Sequence, residues 1–297
     1  MVDPSQPILP PAPTVLRFAP SPNGHLHRGH AYSALFAEAM ARRLGGELIL
    51  RIEDIDTTRC KPELVDAMRE DLDWLGIHFD GETVRQSNRF DLYGLAADRL
   101  RAEGLIYPCF CSRADIAANA TGETDPDGAP VYPGTCRHLD PHMAEQRIAG
   151  GANVAWRLDM DAALERTGPL TWAEMNAETL AISHIAADPM AWGDCVLVRK
   201  DTPTSYHLSV VVDDAEQHIT HVTRGMDLYF ATAIHRVLQT LLGLPAPIYC
   251  HHKLIADDDD KKLSKSRGSM SLRDLRDEGL SAAQLRRELG FQSAAAG

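Results

Sequence analysis

Residues 17–36, Arg-Phe-Ala-Pro-Ser-Pro-Asn-Gly-His-Leu-His-Arg-Gly-His-Ala-Tyr-Ser-Ala-Leu-Phe, constrain the fold more than any other part of the chain. They demand three conformations in quick succession. Residues 15–19 are a short apolar run of strand character. Pro20, Ser21, Pro22, Asn23 and Gly24 then crowd turn formers together, and an Ala-, Leu- and Phe-bearing segment of helical spacing runs on to Arg43. A strand, a loop and the start of a helix are expected. His27 and His30 stand three apart on one side of that start. Free backbone N–H groups and the helix dipole favour phosphate at such an end, and Gly29 lets a ligand approach the backbone closely. Two other readings stand beside this one: a histidine pair for zinc, with no obvious third and fourth donor nearby, and histidines that serve only local structure.

Near the far end, Lys261-Lys262-Leu263-Ser264-Lys265-Ser266-Arg267-Gly268 gathers three lysines, an arginine and two serines in a short Gly-ended loop. Lysines are mobile point charges suited to polyphosphate, although a solvated basic loop has the same composition. Taken together, the two segments resemble the signature motifs of class I aminoacyl-tRNA synthetases. His27-Arg28-Gly29-His30 corresponds to the HIGH motif and Lys262-Leu263-Ser264-Lys265-Ser266 to the KMSKS motif. The Arg17-Phe-Ala-Pro-Ser-Pro-x-Gly24 lead-in, Arg51-Ile52-Glu53-Asp54-Ile55-Asp56, and Tyr206-His-Leu with Val211-Val-Asp-Asp214 narrow the resemblance to the glutamyl-tRNA synthetase branch, over roughly residues 15–270. The resemblance implies an α/β fold. Its core is a class I synthetase Rossmann-type parallel sheet, with a zinc-bearing insertion and a small helical C-terminal segment.

The composition agrees with a globular protein. A chain of 297 residues with 44% hydrophobic content can build one large domain or two, and no apolar run is long enough to span a bilayer. Residues 1–13 carry five prolines without a basic-then-apolar pattern, so 1–14 is expected to be a disordered lead rather than a signal peptide. Three of the six cysteines cluster at Cys109, Cys111 and Cys136 while Cys60, Cys195 and Cys250 are scattered, which favours a metal site in a reducing cytoplasm over a disulfide framework. The net charge of -12 argues against indiscriminate nucleic-acid binding but leaves room for a confined basic face, to which Arg42, Arg43, residues 261–267, Arg286 and Arg287 would contribute.

In chain order, residues 48–52 read as a second strand ending at Glu53, and carboxylates at the C-terminal end of a strand are where open α/β sheets bind ligands. Amphipathic helices are expected over 61–75, with Pro62 near its start, and over 92–102, with a strand at 105–107. Residues 15–108 form the expected first half of a nucleotide-binding catalytic domain. From Cys109 to about 190 an inserted subdomain is expected, with a strand at 154–158 and a turn at 168–171. Cys109-x-Cys111 followed by Tyr132-x-x-x-Cys136 is a plausible zinc knuckle. The resemblance implies Tyr132 as its fourth ligand, whereas His138 is the more ordinary donor. The chain is expected to return to the main sheet at 195–199 and to complete the second half of the domain over 191–250. Core segments are expected at 206–212 and 219–223, a helix at 227–242, and a last strand at 248–250. Residues 251–297 comprise the lysine loop, preceded by the four aspartates 257–260, and a helical tail that includes 282–289 with Ser281 as N-cap. Those aspartates read as a solvated acidic turn more readily than as a magnesium site.

The resemblance also implies a chemistry. Aminoacyl-adenylate formation needs a carboxylate, already ionised at neutral pH, to attack the α-phosphorus of ATP in line while pyrophosphate leaves. His27, Gly29 and His30 would hold ATP from one side, Lys262 and Lys265 would close from the other, and Mg²⁺ would neutralise the leaving group. Arg17 and Arg224 would each grip a glutamate carboxylate, Glu53 would accept the ammonium, and Ser21 and Tyr206 would supply hydroxyls. On sequence alone Arg224 also reads as a surface ion pair with Asp227.

Two features turn the expectation toward one branch of the family. The sequence ends about thirty residues beyond its lysine loop, short of a helical anticodon-binding domain, and Val210 stands where discriminating synthetases generally carry asparagine. Both resemble the glutamyl-Q tRNA(Asp) synthetases. That resemblance implies tRNA-independent activation of glutamate and its transfer to the queuosine base at the wobble position of tRNA(Asp), by a cytoplasmic monomer whose partners are glutamate, ATP and the anticodon stem-loop. The alternatives are a minimal 3′-end glutamyl-tRNA synthetase, a nucleotidyltransferase acting on a small molecule, and an inactive module that retains an ATP or RNA pocket.

Overall fold

The computed structural model describes residues 13–255 and 270–291. Lys262 and Lys265, with the aspartates 257–260, lie outside them. Ten strands are described: β1 Val15–Phe18, β2 Glu47–Ile52, β3 Val84–Arg85, β4 Ile106–Cys109, β5 Ala155–Leu158, β6 Thr171–Met175, β7 Ile182–Ala186, β8 Val196–Val198, β9 His221–Gly225 and β10 Ile248–His252. Seven of them form one sheet in the order β3-β2-β1-β9-β10-β6-β7. Every neighbouring pair in it is parallel except β6 and β7. The run β3-β2-β1-β9-β10 is the strand order of a Rossmann-type sheet, with the chain reversing its direction of travel across the sheet between β1 and β9.

Parallel strands need crossover helices, and the sequence supplies them. Arg28–Leu44 links β1 to β2 and ends on Gly45, whose φ of 62° caps the helix C-terminus in the left-handed conformation. Pro62–Trp74 links β2 to β3 with proline in its first turn. Thr232–Leu242 links β9 to β10. On one side of the sheet Leu16, Leu35, Leu50, Met68 and Leu72 pack together with Leu272 and Leu285 of the tail. A second cluster joins Leu100 of the helix Phe90–Ala102, Leu208 and Val211 of Tyr206–Glu216, and Val237 and Leu238 of Thr232–Leu242. The fully buried Asp213 ties two of those helices, accepting hydrogen bonds from Gln86 (2.7 Å), Arg89 (2.7 Å) and Tyr93 (2.8 Å). That anchor fixes the helix on which Tyr206 stands.

Between β3 and β9 the chain departs from the expected path. β4, β5 and β8 form a separate antiparallel sheet, so the return to the main sheet expected at 195–199 does not occur there: Val196–Val198 pairs with β5. The large sheet is extended instead by β6 and β7, which leave the small sheet and add a hairpin beside β10. The expected core segment 206–212 is helical, in Tyr206–Glu216. The helix expected over 227–242 begins only at Thr232, after a 3-10 turn at Met226–Leu228. The tail helices Leu272–Asp277 and Ala282–Glu288 dock onto the first crossover helices through Arg286, which donates to Glu38 (2.6 Å) and to the Leu75 carbonyl (2.6 Å). Among the described residues no helix is long and apolar enough to cross a membrane.

Candidate active site

A cavity of about 490 Å³ opens where the strand order reverses, at the C-terminal ends of β1, β9 and β10. It gathers side chains from distant parts of the sequence. Arg17, Ser21, Glu53, Tyr206 and Arg224, the residues expected to bind glutamate, all line it, as do His27, Gly29 and His30. The two groups of residues read from sequence therefore face one space.

His27 is the N-cap of Arg28–Leu44 and forms a reciprocal cap with His30. The Gly29 N–H donates to His27 Nδ1 at 3.1 Å, and the His27 N–H donates to His30 Nδ1 at 3.2 Å. Both Nδ1 atoms thus serve the backbone, and the rings lie tilted by 43° with centroids 3.9 Å apart. Structural and functional readings of the pair coexist, whereas a zinc site built on them lacks further donors: the metal-compatible cluster found among the described residues lies elsewhere. After the lysine loop the chain returns to this corner. Ser271 bridges His27, and the Leu272 N–H donates to the Leu26 carbonyl at 2.8 Å. Before it, Lys253, Leu254 and Ile255 line the cavity.

A buried ion cluster supports the floor. Arg17 donates through Nε to Asp214 (3.0 Å) and through Nη1 to the Thr223 carbonyl (3.2 Å). Arg51, fully buried, donates to the same Asp214 oxygen at 2.5 Å and to Gln217 at 2.6 Å. Burial opposes ionisation of Asp214, but the two arginines hold its carboxyl below the usual range. Glu53 stands 3.8 Å from Arg51 without a close hydrogen bond to it, and burial pushes its carboxyl up to about 7. Burial likewise raises the Tyr206 phenol to about 12. Val210, one turn after Tyr206, is buried in the apolar cluster beneath.

Arg224 is held differently. It is 6% exposed, and the surface pair with Asp227 gives way to three buried partners: His251 Nε2 and His235 Nδ1 at 3.0 Å each, and Thr232 Oγ1 at 2.6 Å. Gly225, the next residue, also lines the cavity. A Cβ there would collide with the Asp227 carboxylate and with Leu254.

Away from the cavity, the sulfurs of Cys109, Cys111 and Cys136 lie within 4.8 Å of one another. The Tyr132 hydroxyl sits 3.4 Å from the sulfur of Cys109 and 3.5 Å from that of Cys111, and accepts the Cys136 N–H at 2.9 Å. His138 is exposed. Lys200 Nζ holds the Phe110 and Cys111 carbonyls at 2.8 and 3.0 Å, and the Arg157 guanidinium covers the Tyr132 ring at 3.8 Å. Three thiols and an oxygen at one point are a donor set compatible with zinc. Cys109, Cys111 and Cys136 form no disulfide, so none competes for their sulfurs.

Sequence reasoning quoted Arg51 and Asp214 within motifs but gave them no role, and it missed His235, His251 and Thr232. A histidine at a core position of the helix Thr232–Leu242 was the available signal for His235, since a buried polar side chain needs a partner.

Residues 14–293 match the family of class I tRNA synthetases (E and Q), catalytic domain. The chain belongs to this family. The class I (E and Q) relatives include a protein of Rhodobacter capsulatus named glutamyl-Q tRNA(Asp) synthetase, 49% identical over 93% of this chain and 100% of its own length. A protein of a Methylobacterium species named glutamate–tRNA ligase 2 is 42% identical over 89% of this chain and 57% of its own length. Among solved structures, a glutamate tRNA ligase from Elizabethkingia meningosepticum, in complex with its amino acid, superimposes with a TM-score of 0.68 at 27% identity. That match covers 90% of this chain and 53% of the other. The class I (E and Q) fold thus accounts for the parallel sheet and for the cavity at its switch point.

Proposed function

We propose that the protein activates glutamate with ATP to glutamyl-adenylate without tRNA, and then transfers the glutamyl group to the queuosine base at the wobble position of tRNA(Asp). The observation that carries the first half is the convergence of Arg17, Glu53, Tyr206 and Arg224 with the His27–His30 helix start on one cavity. Glutamate presents two carboxylates and one ammonium, which two guanidiniums and one carboxylate complement. The α-carboxylate oxygen attacks the α-phosphorus, the bond to pyrophosphate breaks, and no side chain need take a proton. Catalysis is then alignment and charge stabilisation. His27, Gly29 and His30 contribute the helix start to the phosphates, Lys262 and Lys265 their charges, and Mg²⁺ neutralises the pyrophosphate. The match across the whole length of a relative named glutamyl-Q tRNA(Asp) synthetase supports the second half.

The same reading takes residues 15–108 and 191–250 as the two halves of the catalytic domain and 109–190 as chain inserted between them, with β6 and β7 of the insertion extending the large sheet and β8 of the second half completing the small one. On this reading 1–14 is a lead and 251–297 a loop and tail. Cys109, Cys111, Cys136 and Tyr132 would hold a structural zinc, which supplies cross-linking rather than chemistry. The enzyme works as a monomer in the cytoplasm and docks the anticodon stem-loop at the mouth of the cavity. Labelled glutamate, ATP and magnesium, supplied with matched tRNA pools that contain or lack queuosine, test this. Label on the queuosine-containing pool alone is expected; equal label on both pools, or label esterified to a 3′ ribose, would overturn it.

A further inference from the structure

The cavity contains two arginines whose surroundings differ in one respect. Arg17 donates directly to a carboxylate, Asp214. Arg224 donates, in the hydrogen bonds described, only to neutral groups: His251 Nε2, His235 Nδ1 and Thr232 Oγ1. A guanidinium can donate but never accept, so each of those ring nitrogens must be bare, and each imidazole is therefore neutral. The rest of the network agrees. With Nδ1 bare, His235 carries its proton on Nε2, 3.2 Å from His207 Nδ1, to which it donates. With Nε2 bare, His251 carries its proton on Nδ1, which faces the Glu174 carboxylate at 2.9 Å. Thr232 passes its own proton to the Tyr229 carbonyl at 2.6 Å, leaving its oxygen to accept. Burial, which disfavours charged imidazole, lowers the pKa values of all three histidines in support of this arrangement.

We infer that His235, His251 and Thr232 are positioning residues that hold Arg224 in place without neutralising it, so that its charge is reserved for a carboxylate of the substrate. The inference rests on the proposed glutamate site and deepens it. A carboxylate in place of any of these acceptors would hold the guanidinium equally well, but would compete with the ligand for its charge and add repulsion toward an anion. The neutral cage is thus a device for selectivity rather than for stability.

The test compares isosteric twins that differ in charge alone: Thr232→Asp against Thr232→Asn, and His235→Glu against His235→Gln. Thr232 opens a helix, where aspartate is tolerated, so the first pair guards against loss of folding in the second. In glutamate-dependent ATP–pyrophosphate exchange, each acidic variant should show a KM for glutamate about tenfold or more above that of its amide twin. The KM for ATP should agree within about twofold. Competition by glutamine and by γ-aminobutyrate, each lacking one carboxylate, then tells which carboxylate Arg224 holds, since the analogue without that group should inhibit both twins alike. Twins with equal KM for glutamate, or with equal shifts for glutamate and ATP, would overturn the inference. Calorimetric binding of glutamate reads the same contrast without catalysis. Wild-type protein that binds no glutamate would overturn both this inference and the proposed function, whereas binding with identical Kd in the twins would overturn this inference alone.

Discussion

In the proposed glutamate site Glu53 stands under tension between two demands. It would have to be ionised to take an ammonium, yet burial pushes its carboxyl up to about 7. An incoming ammonium pulls that value down, so binding near neutrality releases a proton. The apparent KM for glutamate should therefore rise as pH falls from 8 to 6, approaching about tenfold per pH unit once Glu53 is mostly protonated. Glu53→Gln should bind glutamate weakly at every pH and show a flat profile. The stability prediction carries the opposite sign. Below the unfolded carboxyl's value of 4.5 both states are protonated and nothing is lost. Between 4.5 and about 7 the folded state resists ionisation, and above 7 the penalty is complete. Thermal unfolding of Glu53→Gln should hence occur at a higher temperature than wild type at pH 8, with the advantage gone near pH 4.5. That Arg17, Ser21, Glu53 and Tyr206 line one cavity was legible in the sequence because each sits in a motif beside a strand end or helix start, whereas Arg224 was reached only through the family resemblance. The company Arg224 keeps was not, since His235 and His251 reach it from different elements and nothing local marks them.

At the scale of elements, legibility followed punctuation. The helices Arg28–Leu44 and Pro62–Trp74 were readable because Gly45 and Pro62 mark their ends and apolar spacing marks their faces. β8 was misplaced because three apolar residues between loops do not say which sheet they join, and the pairing with β5 is decided by tertiary contacts. The cysteine knuckle lies between these cases: its donors were readable, while the approach of Tyr132 to two sulfurs needed the fold. Its chemistry gives a separate test. Purified protein should carry about one zinc per chain, Cys136→Ser should lose most of it, and Tyr132→Phe should weaken it less, as read by metal analysis and by competition with a chromophoric chelator. Removal of the metal should lower the unfolding temperature. It should leave glutamate-dependent exchange less affected than transfer to tRNA, because no cavity-lining residue belongs to the knuckle.

At the scale of the molecule, the tail closes the structure onto its own beginning. Arg286 and Glu38 form an ion pair with both side chains almost wholly buried. Arg286→Ala would leave Glu38 buried with only the exposed Arg42 beside it, at a cost of about 3–5 kcal/mol in denaturant unfolding. Replacing both partners, with Glu38→Leu and Arg286→Met, should restore much of that loss.

The strand order has a further consequence, for birth rather than for catalysis. β1, with all four residues buried, lies between β2 and β9, and β9 follows it by some two hundred residues. At roughly 5–20 residues per second of synthesis, the ribosome delivers that neighbour roughly 10–40 s after β1 has emerged. Throughout that interval the first βαβαβ unit, in the order β3-β2-β1, has the apolar strand β1 as its open edge, an adhesive surface in a crowded cell. That edge is covered only when β9 pairs with β1, so the sheet cannot be completed until the second half of the chain arrives.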